Sequence, residues 1–190
     1  MTVKEILKIA ILYLNKTDLL ETTIFNTEST TEPTADQTND IEILEKCFNF
    51  IYKEVSASYL PLLFEEEIIF TNDKFEFANL TQTILEIHKL TNKNGNYLIY
   101  ELFPSYIKAF ANKADIVYSY IPQDLGLTDE VNCFSGKVLP QVLASGVARE
   151  YSLLNEDFST ADIWEKKFKD GIFNAISKKS SIQMKARRWE

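Results

Sequence analysis

Residues 158–172 read FSTADIWEKKFKDGI. Ser159 stands three residues ahead of Asp162, the spacing of a helix start at which a hydroxyl caps the first turn. From there Ile163, Trp164, Phe168, Ile172, Ala175 and Ile176 fall on one side of a helix, with Gly171 as a small residue among them. Such a stripe must be covered by another apolar surface. The fold therefore depends on what else in the chain can cover it.

Three other segments carry the same period. Leu139, Val142, Leu143, Gly146, Val147, Tyr151 and Leu154 form a stripe just ahead of the quoted stretch. Gly146 within it would weaken an isolated helix by roughly 1 kcal/mol relative to Ala, so a close neighbour is expected there. At the N-terminus, Thr2 and Glu5 have capping-box spacing and Val3, Ile6, Leu7, Ala10, Ile11 and Leu14 mark a helix over about 3–15. Glu5 and Lys8 interrupt its apolar residues, and no small-residue cleavage site follows, so an ordinary helix is expected instead of a signal peptide. The fourth stripe, Ile41, Leu44, Phe48, Ile51, Tyr52 and Val55, predicts a helix over about 40–58 closed by Pro61. Before it lies NTESTTEPTADQTND from Asn26, Thr-rich, with Pro33, and read as a loop.

Between the helix pairs the pattern changes to short β-branched and aromatic runs: LLFEEEIIF, TILEIHKL, NYLIYELF and ADIVYSYI. The pair Asn94-Gly95 suits the positive φ angles of a tight hairpin turn between the second and third runs. The expected fold is α+β: an antiparallel helical bundle built from both chain ends, with an inserted small antiparallel β module. Residues 1–60 and 134–180 supply the bundle, including a flexible acidic loop 18–40. Residues 61–133 are the β module and its following loop, and residues 181–190 a basic C-terminal arm.

The chain has 190 residues, 45% of them apolar, enough for one domain or two small ones. No apolar run approaches the roughly 20 residues of a membrane span, and a soluble protein is expected. Cys47 and Cys133 are too few for a disulfide framework, which points to a reduced compartment. A net charge of −8 disfavours broad binding to nucleic-acid phosphates. The charge is uneven: Asp18, Glu21, Glu28, Glu32, Asp36, Asp40, Glu42 and Glu45 occur without an intervening Lys or Arg, whereas Lys178, Lys179, Lys185, Arg187 and Arg188 crowd the C-terminus. Such polarity suits two ends that meet different partners.

Catalytic chemistry finds few anchors. There is no phosphate-cradling glycine loop, no Gly-x-Ser-x-Gly elbow and no His-Glu-x-x-His zinc motif. His88 is the one histidine, read as a half-exposed strand residue, and Cys47 as a core residue of the second helix. Glu65, Glu66 and Glu67 form the best metal-binding lead, yet on a strand Glu65 and Glu67 face one way and Glu66 the other, as on an edge strand guarded by charge. Asp124, Asp129 and Glu130 lack the spacing of a calcium loop. The residues favour a binding or structural protein over an enzyme, with no cofactor.

The order of segments is itself distinctive. VKEILKIAILYLNK, a variable loop, NFIYKEVSASYLPLLFEEEIIF, LTQTILEIHKLTNKNGNYLIYELFP, DIVYSYIPQDLGLTDEV and VLASGVAREYSLLNEDFSTADIWEKKFKDGI together resemble the head-to-tail connector proteins of tailed bacteriophages, of the adaptor or tail tubular protein A class. The helix with small residues, ASGVARE, followed by a short turn and a Trp-Glu-x-x-Phe helix, is the most specific part. The resemblance implies a ring, usually twelve-fold, docked beneath the portal at one capsid vertex, joined to a tail or second ring protein, and open to passing DNA. It places the protein in the virion neck, made in the host cytoplasm. Twelve copies would gather a charge of about −96, and an acidic lumen repels phosphates so that DNA slides without sequence-specific binding. The acidic stretch Asp18 to Asp40 and the basic end depart from the family's pattern.

A ring subunit needs two complementary surfaces for its head-to-tail contacts. The candidate assembly interface is Lys178, Lys179, Lys185, Arg187, Arg188 and Trp189, a docking arm with Trp189 as apolar anchor. Two other readings stand beside it: a soluble accessory enzyme or metal-binding protein of a mobile element that uses Glu65 to Glu67, and an adaptor with a single partner and no ring.

Overall fold

The structure, a computed structural model, describes residues 1–131, 134 and 138–177. It is α+β, with four helices and two three-stranded antiparallel sheets among the described residues. Helix α1 (Val3–Tyr13) opens with the anticipated capping box, Thr2 Oγ1 accepting from the Glu5 amide and Glu5 Oε2 from the Thr2 amide. Two more of its N-terminal amides, which a helix cannot satisfy itself, donate to the carbonyls of Asp129 and Leu127. Val3, Ile6, Leu7, Ala10 and Ile11 are buried, as their spacing predicts.

Helix α2 (Ala35–Ser58) begins five residues before the expected Asp40, because Thr34 and Gln37 form a second capping box immediately after Pro33. The acidic stretch 18–40, expected as a flexible loop, thus contains the first turns of a helix. Its earlier part is also fastened: a short 3-10 turn (Thr17–Glu21) buries Leu19, and Phe25 enters the same core. Leu19-Leu20 and Ile24-Phe25 are two short apolar pairs without a helical or strand period, which is why the loop reading missed them.

Helix α3 (Pro140–Leu154) has Pro140 in its first turn, where a missing amide costs nothing. Leu139 and Leu154, expected on its buried face, are exposed, Leu139 because it precedes the helix as its cap residue. Glu156, in the left-handed conformation at φ 59°, turns the chain into helix α4 (Phe158–Ile176). The cap of α4 is Asp157, which accepts from the Thr160 amide, and not Ser159, whose hydroxyl instead donates to Asp157. Its buried stripe is Ala161, Trp164, Phe168 and Ile172. Ile163 lies a quarter turn off that line and is 58% exposed, and Ile176 beyond it is also exposed. Trp164 stacks on Tyr13 of α1 at 4.5 Å, and the Phe168 ring meets Tyr59 edge-on at 6.2 Å.

The strands are β1 (Leu62–Ile69), β2 (Lys74–Glu76), β3 (Ile84–Thr91), β4 (Tyr100–Leu102), β5 (Tyr106–Ala109) and β6 (Lys113–Tyr120). They form two sheets, ordered β1-β6-β3 and β2-β5-β4, where the sequence suggested one. The Asn-Gly hairpin is correspondingly reduced. Gly95 takes φ 79° and Asn92 gathers the turn with its side chain, but beyond the Thr91–Tyr97 bridge the chain leaves β3 for the other sheet. The tight two-residue turn falls at Asn72-Asp73, with φ of 53° and 61°, a conformation these two residue types tolerate.

Strand β3 carries two register shifts, between Ile84 and Glu86 and between Ile87 and Lys89. Each bulge inserts one residue, so Ile84, Ile87 and Leu90 point inward at intervals of three, opposite Tyr120, Tyr118 and Ile116 of β6. The sheets enclose a second core that includes Ile68, Phe75, Leu90, Ile107, Ile116 and Tyr118, while Tyr120 touches both cores. The strands end at Tyr120. Residues 125–131, expected with the β module, instead run along the helices: Asn49 and Leu125 exchange two hydrogen bonds, and Val131 donates to the Met1 carbonyl. No helix among the described residues is long and apolar enough to cross a membrane.

Two glycines permit the closest helix contacts. A Cβ on Gly146 would lie 2.8 Å from Ile51 and 3.1 Å from Phe168, and one on Gly171 would lie 2.6 Å from Val142. Val142 is β-branched and stiff, so it cannot swing aside. Gly171→Ala is therefore expected to destabilise the protein by about 1–2 kcal/mol despite the helix propensity gained. Urea denaturation measures it, and an unchanged midpoint would show that α3 and α4 have slack at this point.

Candidate assembly interface

The six residues expected to form the docking arm, Lys178, Lys179, Lys185, Arg187, Arg188 and Trp189, lie outside the described residues. The structure describes the helix that precedes them. Helix α4 ends with Phe173 and Ile176 exposed, one helical turn apart, and begins with an exposed Phe158. A second set of exposed apolar side chains sits on the strands and their connections, with Ile99 at 94% and Phe110 at 85% exposure.

Helix α4 is oriented by a charged centre that the sequence reading did not single out. Arg149 of α3 has only 9% of its side chain exposed and meets Glu54 of α2, Glu150 of its own helix at 2.6 Å and Glu165 of α4 at 2.7 Å. Its guanidinium also lies 5.0 Å from the centre of the Phe168 ring. Burial opposes its charge, but the bonds from Glu54 and Glu165 outweigh that effect and hold its proton more tightly than usual. Glu165 is likewise held below its ordinary range: burial raises it, and bonds from Lys169 and Arg149 more than reverse this. One arginine thus ties three helices, a use of its planar fork that lysine cannot reproduce.

The acidic stretch is tied at Asp40. Lys16 approaches one carboxylate oxygen at 2.6 Å and the Tyr151 hydroxyl donates to the other at 2.7 Å. Burial works against the charge on Asp40, but these bonds prevail and hold its carboxyl below the usual range. Glu45, a turn and a half along α2, is in the opposite situation. Burial first, and then repulsion from Glu42 and Asp129, pushes its carboxyl above its ordinary value. Lys46 offsets this repulsion only in part, so Glu45 stays above its ordinary value where α2 meets the 125–131 segment.

The three adjacent glutamates do not converge. Glu65 is exposed on the outer face of edge strand β1. Glu66 points inward and accepts from the Tyr118 hydroxyl at 2.6 Å and the Thr81 hydroxyl at 2.7 Å. Burial resists its ionisation, yet these bonds hold it below the usual carboxylate range, while burial and Glu66 push the Tyr118 hydroxyl up to about 12. Glu67 pairs with Lys113 at 2.8 Å and Lys93 at 3.6 Å. Among the described residues no three His, Cys, Asp or Glu side chains gather as a metal site would require.

His88 is exposed on β3. Cys47 is buried, and burial followed by the Glu150 charge pushes its thiol up to about 12, so little of it is the reactive thiolate at neutral pH. Asp129 accepts from the Gly126 amide and Asp124 pairs with Lys53. Arg149, Glu165, Asp40, Glu66 and Glu67 are each engaged in hydrogen bonds or ion pairs that join one element to another. Compared with known protein families and with curated proteins, the chain matches none.

Arg149→Met should cost roughly 2–3 kcal/mol at pH 7, below the full cost of breaking a buried pair because its carboxylate partners are partly solvated. Chemical denaturation at pH 7 tests it, and Arg149→Lys should recover only part of the loss. The pH dependence has a definite sign. The lowered carboxyls of Asp40 and Glu165 stabilise the fold fully above the ordinary carboxylate range and lose that effect as pH falls through it. The raised Glu45 destabilises the fold at neutral pH and ceases to do so once protonated. Glu45→Gln should accordingly raise Tm at pH 7, with the difference shrinking toward pH 4. A larger gain at pH 4 than at pH 7 would contradict this assignment.

Proposed function

We propose that this protein is a structural subunit of a tailed-bacteriophage neck, one copy of a closed ring, twelve-fold in the simplest case, that docks beneath the portal and receives a tail or second ring protein. In this reading the four helices act as an antiparallel bundle built from both chain ends, with the strands as an inserted module. The role is structural and not catalytic. The subunit is made in the host cytoplasm and resides in the virion neck, where its acidic character lets DNA pass through the channel without being held.

The observation that carries the reading is the exposure of large apolar side chains on two unlike elements: Phe173 and Ile176, one turn apart at the end of α4, and Ile99, Leu102 and Phe110 on the strand region. Exposed apolar side chains of this size suit contact surfaces. Two different surfaces on one chain are what a head-to-tail contact requires, whereas a two-fold dimer needs one self-complementary patch. The Arg149 centre supports the same role, because it ties α4, whose end carries Phe173 and Ile176, to α2 and α3.

Quantitative mass spectrometry of purified virus particles, scaled to the major capsid protein, should give about a dozen copies of the chain per particle, the count of one closed ring. Its absence from particles would overturn the proposal. Removing residues 181–190 should leave the folded core intact by circular dichroism and block incorporation into particles. Normal incorporation of the shortened chain would remove the arm from the assembly contact.

A further inference from the structure

Strand β3 ends one sheet and β4 ends the other. Between them opens a cleft of about 410 Å³ lined by Ile84, Leu85, Ile87, Tyr100, Leu102 and Phe103, with Glu86 as its charged wall. The chain itself covers only the far end of β3, where Leu98 donates to the Leu90 carbonyl at 3.0 Å and Tyr97 bridges Thr91. Along the rest of β3, and along the outer side of β4, no described strand pairs. Leu85 and Leu102 remain 41% and 65% exposed at the mouth. A free edge beside apolar pockets accepts an added strand, main-chain bonds giving affinity and alternate side chains giving specificity.

The same sequence contains a segment with the matching pattern. Beyond residue 177 the chain continues for 13 residues outside the described structure. In it Ile182, Met184 and Ala186 alternate with Gln183, Lys185 and Arg187, the period-two signature of a strand with one face to bury. Such a strand is not stable alone and needs a sheet to join. Fully extended, 13 residues reach at most about 45 Å, comparable with the width of a domain of this size, so the segment can cross to a neighbouring molecule. Lys185 and Arg187 would meet Glu86 and, on β4, Glu101.

We propose that residues 181–189 of one copy dock in the β3/β4 cleft of a neighbouring copy, with Ile182 and Met184 entering the apolar pockets. This rests on the ring reading, for which it supplies the two unlike halves of the head-to-tail contact. The occupant is a neighbour's segment because the head-to-tail contact of a ring has to join two copies, and the reach beyond residue 177 is long enough to leave the subunit.

The test uses the full-length protein and a fluorescein-labelled peptide of residues 178–190, followed by anisotropy. Saturable binding is expected, weakened at least tenfold by Leu102→Glu or Leu85→Glu in the protein and, separately, by Ile182→Glu in the peptide. Both protein substitutions are at exposed positions, so unchanged circular dichroism should accompany them. No binding, equal binding to the substituted proteins, or equal binding of a scrambled peptide would overturn the proposal. Failure of the ring reading is distinguishable. Cleft-dependent binding by a protein missing from virus particles leaves the docking standing without a ring. A dozen copies per particle with no peptide binding leaves the ring standing without this contact.

Discussion

Helix α3 is buried on most of its circumference, and the rest of the helical half is arranged around that constraint. Leu143, Ala144, Gly146, Val147 and Ala148 face α1, α2 or α4 in turn, and small residues hold those helices at close range. Along its middle turns a helix surrounded in this way has little solvated face on which to place a charge. Arg149 is nevertheless on it, and it is tolerated because three carboxylates from three helices converge on one guanidinium, and because no buried side-chain nitrogen or oxygen among the described residues lacks a partner. Removing a partner from such a centre is costly, since the desolvated charge stays behind. The centre therefore constrains geometry more than it adds stability.

The strand half obeys a different constraint, that of covering edges. Strand β1 guards its edge with exposed Glu65 and the paired Glu67, whereas β3 uses two bulges and a single returning bridge. Charge prevents chance pairing along the first edge. The second edge stays open beside an apolar cleft, which suits recognition more than protection. The two edges of one sheet are thus built differently.

Much of this was legible in the sequence. All four helical stripes correspond to helices, the alternation around Glu65 to Glu67 matches the faces of β1, and the closeness implied by Gly146 is met by Ile51 and Phe168. What escaped had weak local signals. Thr34 and Gln37 stood as a capping box inside a Thr-rich stretch that looked like loop, and Leu19 and Phe25 stood in short apolar pairs without a period. The three-residue strand β2 and four-residue strand β5 were too short to show alternation, and the bulges of β3 replaced a period of two by one of three. Arg149 stood in the sequence only as one letter of ASGVARE, off the apolar stripe. Its significance depended on Glu54, 95 positions away, and no local pattern reports such a partner. The cleft, formed by two sheets where one was expected, had no sequence signature, and the six arm residues lie beyond the described chain.

The pairing of β6 with both β1 and β3 has a consequence for how the chain is made. The first sheet cannot close until residues 113–120 have left the ribosome, because β6 is its middle strand. The helical core waits longer, since α1 and α2 depend on α3 and α4, which end at Ile176. At synthesis rates of about 5–20 residues per second, the strand half has its full complement some seconds before the helical half. The chain's first-made helices are therefore among the last parts to be buried. Their apolar stripes remain open in the nascent chain while the insertion between them folds.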